Sequence, residues 1–152
     1  MSNSIKCCRA CNCEDLSVVF ELGDQALSGV FVSNNLDEIT TGPLTLVQCN
    51  QCALVQLQNV YPLDEMYNDG YGYRSGATEY MRQHLKGVIT FASKNTTLNK
   101  NDCVLDIGCN DGTLLSNYSK DNFSKIGIDP VAKIYLDLYQ SDTKVVTDFF
   151  TK

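Results

Sequence analysis

Four cysteines of this chain stand in two Cys-x-x-Cys pairs, Cys8 with Cys11 and Cys49 with Cys52. A thiolate is a soft, charged ligand, and this spacing lets both sulfurs of a pair leave one tight knuckle toward one ion. Two such knuckles make a tetrahedral four-thiolate zinc site. A site closed by four protein ligands keeps no open coordination position, so its work is folding and not catalysis. The ligand choice in the first pair stays open, because Cys7 and Cys13 stand close enough to compete. Free thiols are the plain alternative, and a disulfide framework is disfavoured in a chain without secretory signals. Asn12, directly after Cys11, suits the turn a knuckle needs, since Asn accepts positive φ readily.

The second chemical stretch is Val104-Leu105-Asp106-Ile107-Gly108-Cys109-Asn110-Asp111-Gly112-Thr113. Cys103 to Ile107 reads as an interior parallel strand. Gly108 and Gly112 bracket a tight turn with no Cβ between backbone and ligand. Asn110 and Asp111 tolerate left-handed geometry and can cap a helix that begins near Thr113. The dinucleotide pattern G-x-G-x-x-G is not met, because Asn110 and Thr113 hold its second and third glycine positions. What is met, acidic-x-Gly-x-x-x-Gly, resembles the first motif of class I S-adenosylmethionine (SAM) methyltransferases. Lys125–Ile128 reads as a second strand that ends in Asp129. That residue falls about 20 positions past the glycine turn, where a ribose-binding carboxylate is expected.

These residues need elements to hold them. The second cysteine pair lies between two strand-like runs, Leu44–Gln48 and Ala53–Leu57, and so reads as a hairpin with a metal clamp at its tip. Leu16–Leu22 reads as a further strand. Gly23 to Phe31 reads as a loop anchored by Val30 or Phe31, and residues 34–43 as polar chain with turns at Asn34-Asn35 and Gly42-Pro43. Tyr67, Tyr71 and Tyr73, interleaved with Gly70, Gly72 and Gly76, suit either a ligand-facing loop or domain packing. Ser75 is the expected N-cap of a helix running to about Ser93. Its apolar stripe is Ala77, Tyr80, Met81, Leu85, Val88 and Ala92, with a packed His84 on the same side. Residues 94–101 link this helix to the glycine turn.

Composition sets limits. The 152 residues carry 18 acidic against 12 basic side chains, a net charge of −6, which speaks against a nucleic-acid partner. No apolar run approaches the roughly 18 residues of a membrane span, and no signal-peptide core is seen. The expectation is a soluble cytoplasmic protein with no membrane partner.

Taken together, Cys8-Arg9-Ala10-Cys11, the stretch Leu22–Ser28 with Phe31, Cys49 and Cys52 before Ala53-Leu54-Val55-Gln56-Leu57, the Tyr71, Tyr73, Ser75, Gly76 stretch, the helix with His84, and Asp106–Gly112 occur in one order that resembles the N-terminal part of the sugar C-methyltransferases. These enzymes methylate a carbon of nucleotide-activated keto-deoxysugars. The resemblance implies an α/β chain in three parts. A zinc-binding β module (1–62) is followed by a tyrosine-rich loop and linking helix (63–100), then by a partial Rossmann-like SAM-binding domain (101–152) with strands 1 to 3 only. It implies SAM and zinc as cofactors. Asp106, Gly108, Asn110 and Gly112 would face the methionine part of SAM and Asp129 its ribose, while Asp148 and Phe149 would flank the adenine. Tyr71, Tyr73 and Ser75 would face the sugar nucleotide, in the cleft between domains. The chemistry implied is proton abstraction beside a ketone, then attack of the enolate carbon on the SAM methyl group.

Two departures stand out. Ala26 replaces the usual proline of the loop after Gln25, and the chain ends at Lys152 after the third strand. The family's histidine base would lie beyond Lys152, and His84 is not its equivalent, so the expectation is no turnover by this polypeptide alone. Strand 1 would then be an unpaired apolar edge that invites self-association. The competing readings are a zinc-clamped module that binds a nucleotide-sugar or a partner protein without catalysis, and a dinucleotide-dependent oxidoreductase half.

Overall fold

The computed structural model describes residues 3–27, 29, 39–118 and 123–151. Val30, Phe31 and the Asn34-Asn35 turn lie outside the described residues. The chain divides into two compact units, residues 1–71 and 72–152.

Among its described residues the first unit is all-β apart from one helical turn. β1 (Asn3–Ser4) pairs antiparallel with β5 (Asn59–Val60). β2 (Leu16–Ala26), β3 (Thr41–Cys49) and β4 (Val55–Leu57) form an antiparallel sheet in that order. β2 runs farther than the sequence predicts, through Gly23 to Ala26, and β3 begins already at Thr41. The glycine and proline signals read as turns belong instead to irregular pairing. Between the partners Glu21↔Thr45 and Asp24↔Pro43 the register shifts, so that Leu22 and Gly23 stand opposite Leu44. Gly23 has φ +67°, the left-handed residue of this bulge. Pro43 has no N–H to donate to a ladder, and β4 pairs only with Leu46–Gln48 and does not reach it; its carbonyl accepts from the Tyr61 hydroxyl at 2.9 Å. A short helix, α1 (Leu63–Met66), follows Pro62.

The second unit opens with a 3₁₀ turn at Ser75–Ala77 and the helix α2 (Glu79–Asn95). Thr78, not Ser75, caps the helix, accepting from the Met81 N–H at 3.3 Å. The packed stripe is Met81, Leu85, Ile89 and Ala92; Val88, Tyr80 and His84 face outward. His84 is therefore an exposed residue, not the packed one predicted.

β6 (Cys103–Ile107), β7 (Ser124–Ile128) and β8 (Thr143–Val146) form a parallel sheet in the order β6-β7-β8. The expected helix from Thr113 is only a 3₁₀ turn, Leu115–Asn117. The β7–β8 crossover is a kinked 3₁₀ segment, Pro130–Leu138. Cys109, Leu115 and Ala132 make the core, with Val104, Tyr118, Tyr139 and Val145 packed around them. Only one face of β6 is covered by described residues. Leu105 is 46% and Ile107 54% exposed. The apolar run alone reads as an interior strand; β6 lies instead at the edge of this three-stranded sheet, the open apolar edge expected above.

Candidate metal centre and glycine-turn site

The two cysteine knuckles have the same backbone. In the first, the Cys8 N–H donates to the Cys13 carbonyl at 2.8 Å and the Asn12 N–H to the Cys8 carbonyl at 2.9 Å. In the second, the Cys49 N–H donates to Leu54 and the Ala53 N–H to Cys49, both at 2.9 Å. Asn12 at φ 59° and Ala53 at φ 60° take the same left-handed turn after the second cysteine of each pair. Asn12 carries the sequence signal for this geometry; Ala53 does not. Each knuckle is tied down from outside. Arg9 reaches the Leu57 carbonyl at 2.7 Å, and the Asn50 side chain donates to Asp15 Oδ1 at 2.8 Å.

This folding brings the sulfurs of Cys8, Cys11, Cys49 and Cys52 within 4.8 Å of one another. The Cys8–Cys52 and Cys11–Cys49 Sγ separations are each 3.6 Å. Four thiolates about 2.3 Å from one tetrahedral ion would stand about 3.8 Å apart, so the cluster fits such an ion closely. Cys7 and Cys13 are outside the set, and Cys13 Sγ accepts instead from the Asp15 N–H at 3.4 Å.

The ionisation of the cluster points the same way. Backbone N–H groups of Cys11 and Ala10 aim at the Cys8 sulfur and lower its pKa to about 6. The Cys49 thiol is lowered likewise, by the N–H groups of Cys52 and Gln51. At Cys11 the Cys13 N–H favours the thiolate, but burial and the thiols of Cys52, Cys49 and Cys8 outweigh it and push the pKa up to about 12. Cys52 is raised too: the Leu54 N–H and Cys11 favour its thiolate, and burial with Cys8 and Cys49 opposes them more strongly. Four adjacent thiols cannot all ionise without a counter-charge, and a divalent cation supplies it.

The glycine turn follows β6. Gly108 has φ +81°, and a Cβ built on it would meet nothing within 4 Å, so the backbone there lies open. Gly112, at φ +75°, is a packing glycine instead: its Cβ would come within 2.7 Å of the Tyr139 ring. Asn110 is left-handed at φ 49°, and its polar atoms are all engaged. Its N–H donates to Asp129 Oδ2 at 2.9 Å and its carbonyl accepts from the Tyr139 hydroxyl at 2.8 Å. Its side chain accepts from the Ser75 N–H at 2.9 Å and donates to the Tyr73 carbonyl at 3.1 Å. Asp129 also accepts from the Val131 N–H at 2.7 Å, capping the segment that follows β7. Burial, then the charge of Asp129, raises the Asp106 pKa. Asp148 and Phe149 follow β8, with Asp148 exposed. The Gly108 turn, Asp129 and Asp148 thus succeed the carboxyl ends of three adjacent parallel strands.

The sequence does not name the partner of the latch that holds residues 73–76 to this turn. Asp111, its side chain 1% exposed, accepts from Arg74 Nε at 3.0 Å and from the Gly76 N–H at 2.9 Å. Burial alone would raise its pKa. Hydrogen bonds from Thr113, Gly76 and Arg74 overturn that and hold it below the usual carboxylate range. The Arg74 guanidinium also lies over the Tyr135 ring, 5.9 Å from its centre. A Cβ on Gly76 would strike Asp111 and Thr113; the glycine pattern hints at such an approach without naming its partner. Tyr73 and Ser75 belong to this second unit. Tyr71 belongs to the first, its ring 5.3 Å from that of Tyr67.

Residues 8–67 match the methyltransferase family model described as "Putative zinc binding domain". Over 129 residues the chain is 26% identical to "C-methyltransferase NovU" of Streptomyces niveus. The chain resembles the N-terminal portion of the sugar C-methyltransferases. That alignment takes in 84% of this chain but only 30% of the Streptomyces protein. The four clustered cysteines fall within the matched zinc-binding region. Among the described residues, no helix is long and apolar enough to cross a membrane.

Proposed function

We propose that this chain is the zinc-clamped N-terminal part of a SAM-dependent C-methyltransferase that acts on a nucleotide-activated keto-deoxysugar. The observation that carries the reading is the coincidence of two features in a chain similar to a C-methyltransferase. One is the four-thiolate cluster; the other is the row of Gly108, Asp129 and Asp148 after successive parallel strands, as in a Rossmann-like half-sheet. Ligands of open α/β sheets bind at the carboxyl ends of the strands.

The residues fit SAM in two respects. The open backbone at Gly108 admits a ligand closely, and Asp129 has carboxylate lone pairs left for ribose hydroxyls beyond its two backbone donors. Asp106 and Gly108 would lie beside the methionine part, with Asp148 and Phe149 beside the adenine. Asn110 and Gly112 shape the turn through the contacts described above. SAM supplies an electrophilic methyl group. This chain's residues would bind and orient it, and Tyr71, Tyr73 and Ser75 would serve the sugar nucleotide. His84, exposed on α2, is assigned no part. Zinc would be structural, since the four thiolates close its coordination shell.

The test is calorimetric titration of the zinc-loaded chain with S-adenosylhomocysteine. The reading predicts saturable binding that Asp129→Ala abolishes. A folded, zinc-loaded chain that takes up no S-adenosylhomocysteine would overturn the claim that these residues form a cofactor half-site.

A further inference from the structure

Gln56 lies on β4, paired with Val47, two residues before Cys49. It is a buried polar side chain, 8% exposed. Its Oε1 is held by two donors from one residue, the Arg9 N–H at 3.1 Å and the Arg9 guanidinium at 3.2 Å. Arg9 directly follows Cys8, so these bonds fix the amide plane beside the first knuckle. They also dictate which amide atom points away from Arg9. That atom, Nε2, is buried and makes no hydrogen bond of its own. A buried N–H₂ without an acceptor costs about 1–3 kcal/mol, so its persistence asks for an acceptor.

The N–H that Gln56 Oε1 accepts is that of the peptide joining Arg9 to Cys8, and the Cys8 side chain is fully buried. The knuckle N–H groups recur in both halves of the centre, whereas this amide stands by the first knuckle. Four thiolates around a divalent cation keep a net charge near −2, and N–H donors to sulfur disperse it.

We propose that Gln56 is a positioning residue of the metal centre, its Nε2 donating a hydrogen bond to the zinc-bound Cys8 thiolate while Arg9 locks the amide in that orientation. The proposal rests on the zinc reading above. A glutamine at this position carries no metal-ligand signal in a sequence; its bonds to Arg9 bring it to the first knuckle.

The test uses the full chain. Zinc content of the native protein comes first: a folded native chain without metal would overturn the zinc reading and this proposal with it. With one zinc bound, Gln56→Met keeps the volume and removes the donor. The expected result is a 10–100-fold loss of zinc affinity in chelator competition, together with a shifted thiolate-to-metal charge-transfer band in the cobalt-substituted protein. Affinity within twofold of native and an unmoved cobalt band would overturn the proposal while leaving the zinc reading intact. Should Gln56→Met fail to fold, the native chain loaded with ¹¹³Cd answers instead. Coupling between the metal and the Gln56 side-chain N–H across the sulfur is expected, and its absence in a well-resolved spectrum overturns the assignment.

Discussion

At the scale of single residues, the two knuckles show what a local signal does and does not reveal. Asn12 announces a left-handed turn because its side chain tolerates it. Ala53 takes the same φ for no reason of its own; the Cys49–Leu54 and Cys49–Ala53 backbone bonds impose it. An alanine there carries roughly 1–2 kcal/mol of left-handed strain, against which glycine's extra chain entropy is about 0.5–1 kcal/mol. Ala53→Gly should therefore stabilise the zinc-loaded protein by about 0.5–1 kcal/mol in urea unfolding. A loss of stability would show that the position is not strained. The cysteines themselves are legible from spacing, but the choice of Cys8 over Cys7 is not. It depends on which sulfur the knuckle's N–H groups face, a property of the folded turn.

At the scale of elements, the strands after which Asp129 and Asp148 stand are readable from the sequence. A short apolar run that breaks off at a carboxylate is the pattern a buried parallel strand leaves where it reaches the polar rim of its sheet. The helix α2 is readable from its period, yet the predicted packed side is off by one position, Val88 for Ile89. Periodicity gives a face only to within the width of its stripe. The predicted β2 stops short because Gly23 serves a bulge as readily as a turn, and pairing with β3 decides between them. The latch of Asp111 to Arg74 and Gly76 is illegible, since nothing local ties position 111 to 74–76. It gives a measurable consequence. Asp111→Ala removes a nearly buried carboxylate with charge-assisted bonds and should cost about 2–3 kcal/mol. The sign of the pH dependence follows from a depressed pKa. The stabilisation is present above the unfolded-state value of about 3.9 and is lost as pH falls through the lower folded-state value. Acid unfolding of the native chain below about pH 4 should therefore steepen relative to Asp111→Ala; coincident acid limbs would contradict this.

At the scale of the molecule, two units carry two kinds of order. The second is built on a parallel sheet and a small buried cluster. Among its described residues the first has few buried apolar side chains, and four thiols are gathered there. Small modules of this kind draw folding free energy from a metal. Because Cys11 and Cys52 are raised in the free cluster, zinc must displace their protons. Affinity should thus fall with falling pH, and near pH 7.5 binding should release protons, seen as a buffer-dependent heat. A proton-neutral binding heat would contradict that ionisation pattern.

The most direct measurement is the metal content of the purified chain beside that of Cys49→Ser, with far-ultraviolet circular dichroism of both before and after chelation. One zinc per chain is expected, with its loss in the variant and loss of β structure in the first unit on chelation. A metal-free chain with its β structure intact would contradict it.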